Sequence, residues 1–157
     1  MSSAIDLSKI LNNLFDGAYP ALGSGSGRKV YDLGDGTVLK AAKNKKGYAQ
    51  NQVEAIISEM DDSDVFAKVL FISPDNRFLI MEKAEPVTDF SYVRNFFHVK
   101  SNKELFQSNN FSYIPYKYNL LVTDLCRPVN WGILHNRPVI IDYGFTGRIR
   151  RKYYSIF

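Results

Sequence analysis

The sequence predicts an α+β domain, an antiparallel sheet with one packed helix, followed by a smaller region built on a second hairpin. Three observations carry this. Strand-like runs flank Gly- and Asn-containing turns in both halves of the chain (29–40 and 131–141). Val53, Ile56, Ile57 and Met60 stand at i, i+3, i+4 and i+7 between them, the signature of one amphipathic helix. The length of 157 residues, with 45% hydrophobic and 23% charged, is that of one ordinary globular domain. Such a chain buries roughly 70% of its surface and needs no disulfide or structural metal.

The elements follow in order. Leu7, Ile10, Leu11 and Leu14 share one helical face. Ser2 or Ser3 is the expected cap, and Gly17 with Pro20 the end. Leu22–Gly27 alternates glycine with serine and reads as a linker when taken alone. It feeds Lys29–Leu33 and Thr37–Lys40, however, which flank Gly34-Asp35-Gly36 as a hairpin flanks its loop. Residues 41–47 form a basic connector, and the helix with the apolar stripe spans about Gln50 to Met60. Asp61–Asp64 breaks it. Val65–Ile72 and Phe78–Glu82 read as strands joined by Ser73-Pro74-Asp75-Asn76. Residues 84–90 are a linker. Short helices are expected near Tyr92–Phe97 and Leu105-Phe106, with a loop over 107–112. Trp131–Leu134 and Val139–Ile141 form the last hairpin, ahead of Asp142-Tyr143-Gly144 and a basic, aromatic tail.

Composition narrows the function classes. A single cysteine, Cys126, excludes a disulfide framework within the chain and a four-cysteine zinc site. It fits a reducing, cytoplasmic compartment. No apolar run approaches the ~20 residues of a membrane helix, and the N-terminus lacks the order of a secretory signal, so no membrane partner is expected. The net charge of +4 resides in Arg148, Arg150, Arg151 and Lys152, because the remaining 16 basic residues balance 16 acidic ones. The tail is therefore either a solvated terminus or a contact for a nucleic-acid backbone or an acidic partner. His98 and His135 lack metal-ligand spacing. Cys126 has no paired histidine and reads as packing, and Trp131 as core.

Two hairpins concentrate chemistry. With its turn centred at Asp35, the first sets Lys40 opposite Val30 and on the same face as Val38. An ammonium, an apolar wall and the open backbone N–H groups of the glycine run then converge, as phosphates and an adenine ring require. Glu54 on the following helix is placed to hold Lys40 as an ion pair. With the second turn centred near Asn136, Asn130 falls beside Asp142, a hard-oxygen pair suited to Mg²⁺. Asp124 lies six residues upstream of Asn130 on the loop feeding that hairpin. Asp142 carries the strongest signal, since a carboxylate ending a buried strand is costly without a partner.

In order, these residues read glycine-rich loop, strand lysine, helix glutamate, the strand Phe78-Leu79-Ile80-Met81-Glu82, an Asp…Asn loop and Asp-Tyr-Gly. That order resembles the protein-kinase signature set. The phrase Asn-Trp-Gly-x-Leu…Pro-Val-Ile-Ile-Asp-Tyr-Gly resembles the small kinase-like proteins of tailed bacteriophages, over residues 20–145. The resemblance implies a kinase-like N-lobe plus a strongly reduced C-lobe ending just after Asp-Tyr-Gly. The chain would then be one domain: an N-terminal helix (1–19), N-lobe sheet and helix (20–83), reduced C-lobe with catalytic and metal loops (84–147) and tail (148–157). It implies ATP and Mg²⁺ as cofactors, and the host cytoplasm if the chain is phage-encoded. Gly23, Gly25 and Gly27 would cover the phosphates. Lys40 would contact the α- and β-phosphates and pair with Glu54. Val30 and Val38 would face adenine, with Met81, Glu82 and Ala84 at the hinge. Asp124 would be the catalytic base, Arg127 the charge near the γ-phosphate, and Asn130 and Asp142 the Mg²⁺ ligands.

Departures from the signature are specific. The third glycine comes one place early, and Arg28 stands where it is expected. Asp124 and Asn130 are six apart where kinases use five, which reads as a one-residue insertion at Cys126. Val122-Thr123 replaces His-Arg, and Tyr143 replaces the phenylalanine of Asp-Phe-Gly. Thirteen residues follow Gly144, so little of a substrate lobe is expected. The reading is therefore a minimal kinase-like phosphotransferase acting on a hydroxyl acceptor, with a nucleotide and a protein partner or substrate. The alternative is a pseudokinase-like binding module that inhibits or scaffolds a host or phage protein without turnover. A nucleic-acid-associated role through Arg148, Arg150, Arg151 and Lys152 is weaker.

Overall fold

Asp6 begins the first helix: its side chain accepts from the Lys9 N–H at 3.2 Å. The helix, α1 (Leu7–Phe15), ends at Asp16, with Gly17 in the left-handed region at φ 75°. This computed structural model describes residues 4–154, so the caps expected at Ser2 and Ser3 lie outside the described residues.

β1 (Ala21–Ser24), β2 (Arg28–Asp32), β3 (Thr37–Ala42), β4 (Val69–Ile72) and β5 (Phe78–Glu82) form an antiparallel sheet in the order β1-β2-β3-β5-β4. Val30 pairs with Lys40 across the first hairpin, the register its turn predicts. Val38 faces Met81 and Lys40 faces Leu79 on the next strand. Because strand side chains alternate, Val30, Val38, Lys40, Leu79 and Met81 share one face.

The packed helix, α2 (Lys45–Met60), starts earlier than its apolar stripe indicates. Asn44 caps it by accepting from the Gly47 N–H at 3.1 Å, so Lys45, Lys46 and Gly47 belong to the helix and not to a connector. Only half of the stripe faces inward: Ile57 is buried and Val53 packs against the core. Ile56 and Met60 are exposed, whereas Gly47, Asn51, Glu54 and Ile57 are buried. The helix turns a polar edge inward because cations wait there.

Gly47 shows how tightly α2 meets the glycine-rich loop. A Cβ at this position would lie 2.1 Å from the Gly27 carbonyl oxygen. Alanine favours a helix over glycine by ~1 kcal/mol. Overpacking costs about 1–3 kcal/mol and here the obstacle is backbone. Gly47→Ala is therefore expected to lower the melting temperature, and a rise would contradict this packing.

The second sheet, β6-β7-β8, comprises β6 (Glu85–Pro86), β7 (Trp131–Leu134) and β8 (Arg137–Ile140). The expected 84–90 linker thus contains a strand, on a sheet edge that tolerates Pro86. His135 (φ 52°) and Asn136 (φ 62°) make a two-residue turn of the kind that matches strand twist. Trp131 pairs with Ile140, which sets Asn130 opposite Ile141, one residue short of the Asp142 partnership expected. The sequence centred the turn on Asn136, whereas it lies between His135 and Asn136.

Residues 65–67 join the sheets instead of extending β4. The Ile140 N–H donates to Val65 O at 2.7 Å, and the Ala67 N–H to Ile140 O at 2.9 Å. α3 (Ser91–Phe96), α4 (Asn102–Leu105), α5 (Tyr113–Tyr118) and α6 (Val122–Leu125) are short and pack around a core containing Phe90, Phe111, Leu125 and Trp131. α5 was not legible in the sequence. Its Tyr118 and the neighbouring Tyr113 each donate to the Asp61 carboxylate at 2.7 Å, tying this region to the end of α2. The basic tail is not solvated along its length. It forms α7 (Gly147–Tyr154), packed on α2 with Ile149 buried.

Candidate functional site

The site grows from the seam between β3, α2 and the segment after β8. Lys40 on β3 donates to both oxygens of Glu54, at 2.9 and 3.2 Å. This is the ion pair expected from the sequence. Lys40 Nζ also donates to Ile141 O at 2.6 Å. The Tyr143 N–H donates to Glu54 Oε2 at 2.9 Å. The residues on either side of Asp142 are thus both bonded to the Lys40–Glu54 pair.

A residue that the sequence reading gave no role completes the network. The Arg28 guanidinium, only 7% exposed, donates to Glu54 at 2.7 and 2.9 Å. It also donates to Asn51 Oδ1 at 3.0 Å and to Asp142 Oδ1 at 3.0 Å. The only sequence signal was its place where the signature has glycine. Burial disfavours the charge on each group, and their mutual attraction decides the outcome. Burial raises the Glu54 pKa, but Arg28 and Lys40 overcome this and hold it at about 2. Burial lowers the Arg28 pKa, but Glu54 and Asp142 hold it above the ordinary arginine value. Lys40 moves down, first through burial and then through repulsion by Arg28, despite Glu54 beside it. Glu54 is held charged and the charge on Lys40 is disfavoured because of how they share: Glu54 has two cations, whereas Lys40 has part of one carboxylate. Two cations and two carboxylates leave the cluster formally neutral.

Asp142 is 48% exposed, and its other oxygen has no protein partner among the described residues. Asn130 is adjacent, since the Ile141 N–H donates to its carbonyl at 2.8 Å. Its buried side-chain amide donates to Asp124 O at 2.8 Å. Among the described residues no three of His, Cys, Asp and Glu gather as a metal cage. Magnesium does not need one: it uses one or two carboxylates together with substrate phosphates and water. The donor set of Asp142 and Asn130 therefore fits the ion.

Asp124 lies on α6, with Arg127 at 3.7 Å. Its carboxyl is pushed above the usual carboxylate range, first by burial and then by the charge of Asp142. Arg127 is largely exposed. Both line an open depression of about 320 Å³ with Leu121, Thr123, Phe145 and Arg150. Lys40, Val30, Val38 and Met81 lie outside that lining.

The glycine-rich loop is fastened to the start of α2. Lys43 Nζ donates to Gly25 O at 2.6 Å and contacts Ser24 Oγ; Asn44 donates to Ser26 O at 2.9 Å; Lys46 Nζ contacts Ser26 Oγ. Tyr154 from α7 reaches Ser26 Oγ at 2.8 Å. Gly23 and Gly25 have open space where a Cβ would stand, whereas one at Gly27 would meet Gln50 Oε1 at 2.5 Å. Val38 and Met81 are buried. In the segment expected to be the hinge, the Glu82 N–H donates to Lys68 O at 3.0 Å and the Lys83 N–H to Gly36 O at 2.9 Å. Ala84 packs against the core and would contact a Cβ at Gly132.

No protein-family model matches the chain, and no match to a curated protein was found. Solved structures do match. A ternary complex of APH(2")-IIa with streptomycin and ATP aligns with a TM-score of 0.50 at 14% identity, over 91% of this chain and 73% of that one. The PknI kinase domain of Mycobacterium tuberculosis aligns with a TM-score of 0.46 at 16% identity, over 82% of this chain and 60% of that one. The likeness is one of architecture. The chain has a mixed α+β, kinase-like fold, which it shares with APH(2")-IIa. Among the described residues no helix is long and apolar enough to cross a membrane.

Proposed function

We propose that this chain is a minimal kinase-like phosphotransferase that binds ATP with Mg²⁺ and transfers the γ-phosphoryl group to a hydroxyl acceptor. One observation carries the reading: Ile141, Asp142 and Tyr143 are bonded in succession to Lys40, Arg28 and Glu54. A fold that needed only stability has no reason to converge two cations and two carboxylates on the segment that follows β8, since a buried charge cluster is weak evidence for stability.

The roles follow from position. Lys40 would neutralise phosphate charge, with Glu54 fixing the direction of its ammonium. Val30, Val38 and Met81 would form the apolar wall for the base, with Glu82 and Ala84 at the hinge. Gly23, Gly25 and Gly27 would lie over the phosphates. Asp142 and Asn130 would hold the metal, which when bound screens phosphate charge. Asp124 would accept the hydroxyl proton, and Arg127 would meet charge developing on the transferred group. The acceptor would enter the depression beside Asp124. Catalysis of this kind is mostly positioning and electrostatics.

Melting the protein with ATP and Mg²⁺, and with Mg²⁺ alone, tests the reading. Nucleotide at 100-fold over its Kd is expected to add roughly 2.7 kcal/mol, a shift of several degrees at this size. Asp142→Ala should lose the Mg²⁺-dependent part. Absence of any shift in the wild type would remove the proposal. The bond from Arg28 to Asp142 favours a second reading, a binding module without turnover. A stoichiometric protein complex that consumes no ATP would select it.

A further inference from the structure

We propose that Arg28 is a tethered cation that competes with the divalent metal for Asp142 and so sets the metal affinity of the site. The inference rests on the reading of Asp142 as a metal ligand. It goes beyond that reading by assigning a function to a residue outside the kinase signature.

Arg28 is the first residue of β2, immediately after the glycine-rich loop. The Gly25 N–H closes a turn onto Arg28 O at 2.9 Å, which fixes the backbone from which the side chain leaves. One nitrogen, Nη1, serves Asn51 and Glu54, while Nη2 serves Glu54 and Asp142. A planar guanidinium suits this bridge, because its donors diverge in a fixed fork and it stays charged even when buried. Glu54 does not depend on Arg28 for a counter-ion, since Lys40 already supplies one. Among the described residues, Arg28 alone donates a side-chain hydrogen bond to the Asp142 carboxylate.

The guanidinium acts against a metal in two ways. It engages one of the two Asp142 oxygens, leaving only the other, solvent-facing one for coordination. It also places a positive group beside a dication on one carboxylate, where the two repel. The structure therefore assigns Arg28 to hold Asp142 neutralised before nucleotide arrives. Phosphates would offer the guanidinium another anion, making metal binding at Asp142 dependent on nucleotide.

Titration with Mn²⁺, followed by the EPR signal of the free ion, reads this directly without turnover. The titrations use the full chain, alone and with a non-hydrolysable ATP analogue. Arg28→Met removes the charge at similar volume and leaves Glu54 paired with Lys40. It is expected to bind Mn²⁺ at least about tenfold tighter than wild type in the absence of nucleotide. Asp142→Asn in the same background should abolish the gain. Equal or weaker Mn²⁺ binding by folded Arg28→Met, where the wild type binds measurably, overturns the inference while leaving the nucleotide reading intact. No Mn²⁺ binding by wild type or variant, with or without analogue, overturns both. If Arg28→Met does not fold, the side-chain Nε resonance of Arg28 in the wild type decides. A shift on adding Mg²⁺ with the analogue, lost in Asp142→Asn, supports competition, and an unmoved resonance overturns it.

Discussion

Glu54→Gln is expected to destabilise the protein by about 3–5 kcal/mol, because it removes the carboxylate on which two buried cations depend. Glu54 is fully buried and accepts from Arg28, Lys40 and the Tyr143 N–H. A glutamine amide has one acceptor oxygen in place of two, and its nitrogen would point donors at other donors. Asp142 alone, half in water, would face two ammonium-like charges. At this chain length the loss corresponds to a fall in melting temperature of roughly 6–20 °C. Stability against pH gives a second signature. The Glu54 pKa is about 2 in the folded protein against an ordinary 4.5. A depressed carboxyl contributes its full stabilisation above the unfolded value and loses it as pH falls through the folded one. The wild type should therefore lose stability between about pH 4.5 and 2, by an amount on the order of 3 kcal/mol from this group. That limb should flatten in Glu54→Gln. An unchanged melting temperature and an unchanged acid limb would mean that the network does not hold the fold.

The contrast between Glu54 and Arg28 explains what a sequence can reveal. Lys40 and Glu54 were legible because each sits on a regular element whose period fixes its direction: Lys40 opposite Val30 in a hairpin, Glu54 beside the apolar stripe of a helix. Both hairpins and the strand Phe78–Glu82 followed from turn chemistry in the same way. Arg28 was not legible, because its direction is set by a loop closure and by partners on α2 and after β8, far along the chain. Charged residues at a strand start are usually solvated, and nothing local marks this one as buried. The inward face of α2 was only half legible for the same reason. Apolar periodicity picked Val53 and Ile57, which pack inward, together with Ile56 and Met60, which are exposed, while the cations of β2 and β3 draw Asn51 and Glu54 inward beside them. α7 shows the limit from the other side. A run with four basic residues reads as a solvated tail, yet Ile149 and Tyr154 anchor it to the body, through burial and through Ser26. The one-residue error at Asn130 came from a turn centre, the feature local composition defines least, since both residues of the turn adopt positive φ.

Asp124→Asn is expected to lower ATP consumption by about 10²–10⁴-fold while leaving the nucleotide-induced rise in melting temperature intact. The separation follows from where Asp124 sits. It lies in the depression with Arg127 and Arg150, and no hydrogen bond joins its side chain to Lys40, Glu54 or Arg28 among the described residues. Nucleotide held by the Lys40 network would therefore not register its loss, whereas proton removal from an acceptor hydroxyl would. The pH profile sharpens the test. A base must be ionised to act, and burial together with Asp142 raises the Asp124 pKa. Activity should fall as pH drops through that raised value, so the acidic limb lies above the ordinary carboxylate range. Asp142→Asn removes one of the two causes and should move the limb to lower pH in whatever activity remains. Release of ADP from ATP and Mg²⁺, followed in a coupled assay across pH, measures all three proteins. Wild-type turnover in Asp124→Asn would remove Asp124 from the chemistry. A wild type that melts higher with nucleotide yet releases no ADP would leave a nucleotide-binding module, in which Asp124 has no proton to take and Arg28 is the permanent partner of Asp142.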